Sequence, residues 1–323
     1  MFKSILRLFT IAGFGLHLSL ATAQVAFPAK PMRIVVPFPP GGVNNLIARM
    51  LGEQWYLKYA QPVVIDNKPG GNGTIGSLFV ARSAPDGYTV LFHGPTITVE
   101  QNLHSNSGFD VRRDLAPIGP TMMGNFGLHV SSTLPVNSVP EFLAYARQNP
   151  GKLNFGSAGI GSYTQLMSES FFAAAGIRLT HIPYQGAGPQ MVALMSGQID
   201  VSLGDVAQTR PQVQAGKIKL LALLSAQRSA LSPGVPTIAE VGGPAFSAPF
   251  TNGLFAPVGT PPEIIAKLNS MIQEVMERPD IRARLAELGY APRTSSTEEY
   301  KRTIDAEVDR MAQLVTSLKL KVD

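Results

Sequence analysis

The chain has 323 residues, 45 % of them hydrophobic and 15 % charged. That composition excludes a disordered protein, and the length suits two domains better than one core. The absence of cysteine excludes disulfides, thiolate metal sites and a cysteine nucleophile, and the scattered basic residues behind a formal charge of +5 argue against a nucleic-acid partner.

The N-terminus reads as an export signal. Lys3 and Arg7 precede an apolar stretch from Leu8 to Leu20, and Ala21-Thr22-Ala23 follows as a run of small residues. This predicts a signal peptide over residues 1–23 cleaved before Gln24, because the apolar stretch is shorter than the ~20 residues that span a bilayer. The chain beyond it is expected to be soluble and to lie outside the cytoplasm.

Arg33–Phe38 is then an apolar strand, followed by a Pro-Pro-Gly-Gly loop, asparagines as N-caps and a helix from about Leu46 to Tyr59. Val63–Ile65 is a second strand, Gly71–Gly76 leads into a short helix ending near Ser83, and Tyr88–Phe92 is a third strand. The middle repeats the pattern. A capping box at Ser138–Glu141 opens a helix to about Gln148, and Asn154–Ser157, His181–Tyr184, Ile199–Leu203 and Leu220–Leu224 read as strands. Helices at about 165–175, 189–196 and 207–215 lie between them. The C-terminal part is helical: 262–277, a helix from Pro279 stopped by Gly289, and a helix behind the capping box Ser296–Glu299. That last helix carries Tyr300, Ile304, Val308, Met311, Val315 and Leu318 at helical spacing. Strands alternating with helices predict an α/β fold with parallel strands, in two βα blocks that face each other across a cleft.

Enzyme chemistry finds little support. Gly71-Asn72-Gly73-Thr74-Ile75-Gly76 matches G-x-G-x-x-G, but five loop residues separate it from the strand and no acid closes the next strand, so NAD is not expected. No serine sits in a G-x-S-x-G frame, and His93, His104, His129 and His181 do not pair at metal spacing. No cofactor and no metal are expected. His129 and His181 read as structural, whereas His93, at a strand end, is a candidate to face the cleft. Two glycine-rich loops remain, Pro39–Asn45 and Gly156–Thr164, each preceding a helix. Free amides at a helix start, aided by the helix dipole, bind carboxylate or phosphate without lysine or arginine.

Several motifs carry a family resemblance across nearly the whole mature chain. They include Phe27–Gly42, Asp66-Asn67-Lys68-Pro69-Gly70, Ala84-Pro85-Asp86-Gly87-Tyr88-Thr89, Asp114–Gly119, Pro150–Asn154, Pro183-Tyr184-Gln185-Gly186 and Gly197–Val201. The chain resembles the tripartite tricarboxylate transporter substrate-binding proteins, the Bordetella uptake gene family. The resemblance implies the type II periplasmic-binding-protein architecture, with two βα lobes, an interlobe ligand cleft and C-terminal helices. It also implies capture of a small organic anion, usually a carboxylate, in the periplasm for a membrane permease of the tripartite tricarboxylate type. Three positions depart from the family pattern: Asn45 stands where the family has aspartate, Gln165 where it has histidine, and Leu203-Gly204-Asp205 where it has Phe-Asp-Asn.

The expected lobes are 24–123 plus 248–323 and 124–247, hinged near Pro120–Gly124 and Ser247–Thr251. The expected ligand contacts are Phe38, Pro39, Gly41, Gly42, Asn44 and Asn45 on one side, and Gly161, Ser162, Tyr163 and Thr164 on the other. His93, Thr96, Ser157, Tyr184, Gly186 and Asp205 are expected to line the cleft. The chain is expected to act as a monomer. A second reading makes it a ligand-presenting partner of a membrane sensor kinase. A third, an enzyme on the same scaffold, lacks a nucleophile motif, a metal set and paired carboxylates.

Overall fold

The computed structural model describes residues 27–103 and 108–320. The expected signal peptide, its cleavage point and His104 lie outside the described residues. Strand β1 (Met32–Val36) is apolar on both faces, with Ile34 and Val36 in one core cluster and Val35 in another. A strand covered on both sides reads as a continuous hydrophobic run rather than an alternating one. Helix α1 (Val43–Tyr59) buries Ile47, Leu51 and Trp55 along one stripe. After it come β2 (Val63–Asn67), α2 (Thr74–Ala81) and β3 (Thr89–His93), with β1 parallel to both of its neighbours. Two single-turn helices, α3 (Glu100–Leu103) and α4 (Val111–Asp114), lead into β4 (Leu115–Ser131).

The middle block supplies α5 (Val139–Gln148), β5 (Asn154–Ser157), α6 (Tyr163–Ala175), β6 (Thr180–Pro183), α7 (Ala187–Met195), β7 (Val201–Asp205), α8 (Val206–Gln214) and β8 (Ile218–Leu223). Here β5 is parallel to β6 and β7. The C-terminal part adds β9 (Pro249–Pro257), α9 (Pro262–Glu277), α10 (Pro279–Leu288), β10 (Ala291–Pro292) and α11 (Thr297–Ser317). Gly289 ends α10 in the left-handed region at φ +88°, where a Cβ would be strained. Ser138 and Ser296 cap their helices, accepting from the Glu141 and Glu299 amides at 3.3 and 3.1 Å.

The parallel strands do not complete the sheet. Its order is β2-β1-β3-β9-β4-β7-β5-β6, with β8 and β10 also paired to β4. Strands β9 and β4 run antiparallel to each other and to their neighbours β3 and β7. They join the two parallel sets, and the segments expected as crossings lie on them: Pro120–Gly124 within β4 and Ser247–Thr251 at the entry to β9, with Met123 opposite Thr251. The 17 residues of β4, about 55 Å of extended chain, pair with β9 over their first part and lie between β7 and β8 over their second. Pro117 and Pro120 read as breakers of such a strand. They are tolerated because the register shifts between Pro117 and Gly119 and again between Pro120 and Met122, bulges where a missing amide leaves no ladder bond unmade.

Helix α11 spans the join. Tyr300, Ile304 and Val308 pack with Val35, Val80 and Leu91 on the β1–β3 side. Met311 and Val315 belong to the larger cluster, which includes Leu166, Met167 and Phe171 of α6.

Candidate functional site

The C-terminal ends of β1 and β5 each turn into a helix, and both turns are built to leave amides free. Gly41 takes φ +95°, and the N-cap of α1 is Gly42, which offers no side-chain acceptor. The expected asparagine N-cap is therefore corrected: Asn44 and Asn45 lie inside the first turn. An added Cβ at either glycine would meet nothing within 4 Å. Leu46 is the first residue of α1 whose amide bonds back, to Gly42 O at 3.2 Å. Among the described residues nothing accepts from the amides of Val43, Asn44 and Asn45.

The side chains of this loop serve mainly to hold it. Asn45, 5 % exposed, donates to Asn67 Oδ1 at 2.8 Å and accepts from Arg49 Nε at 3.0 Å. Asn67 in turn donates to Phe38 O at 2.9 Å. The Asn45 amide is thus committed to a chain that fixes the loop at its Phe38 end. The Phe38 ring stands edge-on to His93, with centroids 5.3 Å apart. His93 is 1 % exposed; its Nδ1–H donates to Gly94 O at 2.9 Å. Burial pushes its pKa down to about 4. It is packed beneath Phe38 and Gly73, at the strand end but not on an open surface. Pro39 is exposed and Thr96 half-buried.

The second turn is more densely bonded. Ser157 Oγ is a hub: it donates to Gly159 O at 2.9 Å and accepts from Gly159 N at 3.2 Å and from His181 Nε2 at 2.7 Å. Thr164 Oγ1 accepts from Ala158 N at 3.0 Å, and Gln165 Oε1 from Gly161 N at 2.7 Å. Ser162 Oγ caps α6 by accepting from Gln165 N at 3.2 Å. Among the described residues the amides of Tyr163 and Thr164 have no acceptor. The Tyr163 side chain turns away from the loop, stacking on Phe126 and bonding Glu307 and Arg310 of α11. Its amide is what remains for a ligand.

A third glycine start, Gly186 at φ +99°, opens α7 without a side-chain cap. Tyr184, half-buried, packs against the apolar cluster below α7. Asp205 has no free oxygen. It caps α8 through Ala207 N at 3.0 Å and accepts from Gln208 Nε2 at 3.0 Å and Tyr290 Oη at 2.6 Å. Burial pushes its carboxyl upward, against the hydrogen bonds that favour the charge. These bonds tie the segment just before β10 to the end of β7.

One bond spans the join: Asn72, in the Gly71–Gly73 turn before α2, donates from Nδ2 to Ile160 O of the second loop at 3.1 Å. Charge follows the same plan. Helices α1, α6 and α7 carry no acid in their first turns, whereas α5, α9, α10 and α11, which start elsewhere, each carry one or two. The positive dipole ends at the candidate site are left unneutralised. The described residues hold no cluster of histidine and acids that could bind a metal, and no helix among them is long and apolar enough to cross a membrane. Sequence reasoning missed Asn252, whose Nδ2 donates to Asn44 Oδ1. It sits just beyond the Ser247–Thr251 segment, in a stretch to which the sequence analysis assigns no element, and only the pairing of β9 with β3 and β4 brings it to α1.

Two facing loops of backbone amides on a type II periplasmic-binding-protein fold define a solute receptor. The match to known proteins agrees. The family described as tripartite tricarboxylate transporter family receptor matches residues 47–320, and the chain belongs to it. This is a family of solute-binding receptors, not enzymes. BugT of Bordetella pertussis is 32 % identical over 98 % of this chain and 99 % of its own. Rpa4515 of R. palustris, solved with adipate, superposes with a TM-score of 0.85 at 31 % identity, covering 91 % of this chain and 99 % of that one. MatC of Rhodopseudomonas palustris, solved with bound malate, gives 0.81 at 28 % identity, with 90 % and 100 % covered.

Proposed function

We propose that this protein is an exported receptor that captures a small organic carboxylate between two lobes, 24–123 plus 248–323 and 124–247, and delivers it to a tripartite tricarboxylate-type permease. The observation that carries this reading is the pair of opposed helix starts. Unpartnered amides at residues 43–45 and 163–164, with no acid in either first turn, suit an anion. The adipate and malate bound by two similar receptors support a carboxylate as that anion. The ligand would lie between Gly41–Asn44 and Gly161–Thr164, with Gly186 and Tyr184 at its side.

Thermal denaturation with di- and tricarboxylates, aromatic acids and amino acids tests the reading. Binding to the native state alone stabilises by RT ln(1 + [L]/Kd), about 2.7 kcal/mol at a hundredfold excess over Kd. A concentration-dependent rise with one class of acid is the expected result. A folded protein that responds to no acid would overturn it.

A further inference from the structure

Beside the anion site the structure holds a buried amide with an unused acceptor. Asn252 is 3 % exposed, and among the described residues its Oδ1 has no hydrogen-bond partner. Its other atoms are committed: Nδ2 donates to Asn44 Oδ1, and the backbone oxygen accepts from Thr121 Oγ1 at 3.0 Å. Three neighbours place the amide at the candidate site. Asn44 is in the first turn of α1, between residues with free amides. Gly94 directly follows the last residue of β3, and a Cβ there would come within 2.9 Å of Asn252 Oδ1. Asn252 itself pairs with Met122, where β4 crosses from one parallel set toward the other.

A buried carbonyl oxygen with no donor costs free energy, which an N–H or O–H group restores. The Asn44–Asn252 pair therefore offers an acceptor at Asn252 Oδ1. It also offers a donor at Asn44 Nδ2, to which no bond is made among the described residues. The neighbouring helix amides supply further donors only. A plain carboxylate satisfies the donors and leaves the Asn252 oxygen unmatched. A carboxylate bearing a hydroxyl or ammonium on the adjacent carbon satisfies both.

We propose that Asn252, oriented by Asn44, selects carboxylates that carry a hydrogen-bond donor next to the acid group: 2-hydroxy or 2-amino acids over their unsubstituted parents. This rests on the carboxylate reading above and narrows it.

The test is calorimetric titration of the protein, stripped of bound solute by unfolding and refolding. The probes are matched sets: succinate, malate and aspartate; glutarate, 2-hydroxyglutarate and glutamate; propionate, lactate and alanine; phenylacetate, mandelate and phenylglycine. In the set that binds, a substituted member should bind at least about tenfold more tightly than its parent, since a site built to bond a donor rejects the analogue lacking it. The hydroxy and amino arms distinguish which donor is read. Asn252→Leu should bring the ratio to within about twofold while the parent acid still binds. If Asn252→Leu does not fold by circular dichroism, Asn44→Ala tests the pair from its exposed side and should lower the ratio likewise. Equal binding of parent and substituted acids by the unaltered protein overturns the proposal. So does a ratio that survives in a folded variant. Failure of every acid to bind overturns the carboxylate reading, and the selectivity proposal with it.

Discussion

At the residue scale the side chains nearest the loops shape backbone rather than meet solvent. Ser162 and Thr164 hold the second loop through the α6 cap and the Ala158 amide. The double variant Ser162→Ala/Thr164→Ala should lose about 1–3 kcal/mol of stability in urea unfolding. It should also weaken binding of the identified acid by tenfold or more, since the amides of 163 and 164 lose their fixed direction. Unchanged affinity in the folded double variant would remove the second loop from the site. Gly41 is the counterpart on the first loop. At φ +95° alanine is strained by about 1–2 kcal/mol, so Gly41→Ala should lower both the melting temperature and the affinity. The buried histidines set a pH response. His93 and His129 both fall from 6.5 to about 4 through burial. The unfolded chain therefore binds more protons than the native one between those values. Stability from each is full above about pH 6.5 and is lost as pH falls toward 4, about 3 kcal/mol per histidine at most. Urea midpoints measured from pH 7 to 4 should fall, and His93→Gln should flatten the slope.

Elements contribute by where they end. Each parallel set points its strands' C-terminal ends toward the middle of β4, with His93 of β3 opposite Gly253 and Asp205 of β7 opposite Phe126, and the glycine turns there release helix amides. Helix α11 and the segment before it act from behind, tying the C-terminal part to the middle block at two tyrosines. Tyr163 bonds Arg310 at 3.1 Å and Glu307 at 3.4 Å, and Tyr290 donates to Asp205 at 2.6 Å. Tyr290→Phe deprives a buried carboxylate of one donor, so the Asp205 pKa should rise further. An acid raised above its unfolded value costs stability once pH exceeds that unfolded value. The expected loss is about 1–3 kcal/mol at pH 7 and much less below pH 4, read from urea curves at the two pH values. Equal losses at both would show that the bond serves packing alone.

For the whole molecule the consequence is two parallel strand sets joined by paired strands, β4 and β9. Both β4 and β9 pass through the join as a paired ladder, and the bulges at Pro117–Met122 are where such a ladder bends. We expect ligand to draw the lobes together by a hinge motion, lowering the radius of gyration in solution scattering by a small, saturable amount. Asn72→Ala removes the bond to Ile160 O that spans the loops. It should favour the open form and weaken binding while leaving the melting temperature without ligand almost unchanged. Scattering and affinity that do not respond to Asn72→Ala would place closure elsewhere.

The sequence by itself determined most of the elements and the character of the loops. Apolar runs, glycine turns and capping serines are local signals, and β5, α9 and the Gly289 stop fall where those signals place them. It could not determine β4 and β9. Proline and glycine within a run argue against a strand, and only partner strands that shift register around them make one. The same limit held at the site. Local chemistry did not show that the Tyr163 hydroxyl bonds α11 or that Asp205 bonds Tyr290, and Asn252 reaches α1 through pairing between residues far apart in the chain. Backbone amides at a helix start are legible because turn chemistry creates them locally. The direction of a side chain is settled by what packs against it, and that is decided in the tertiary structure.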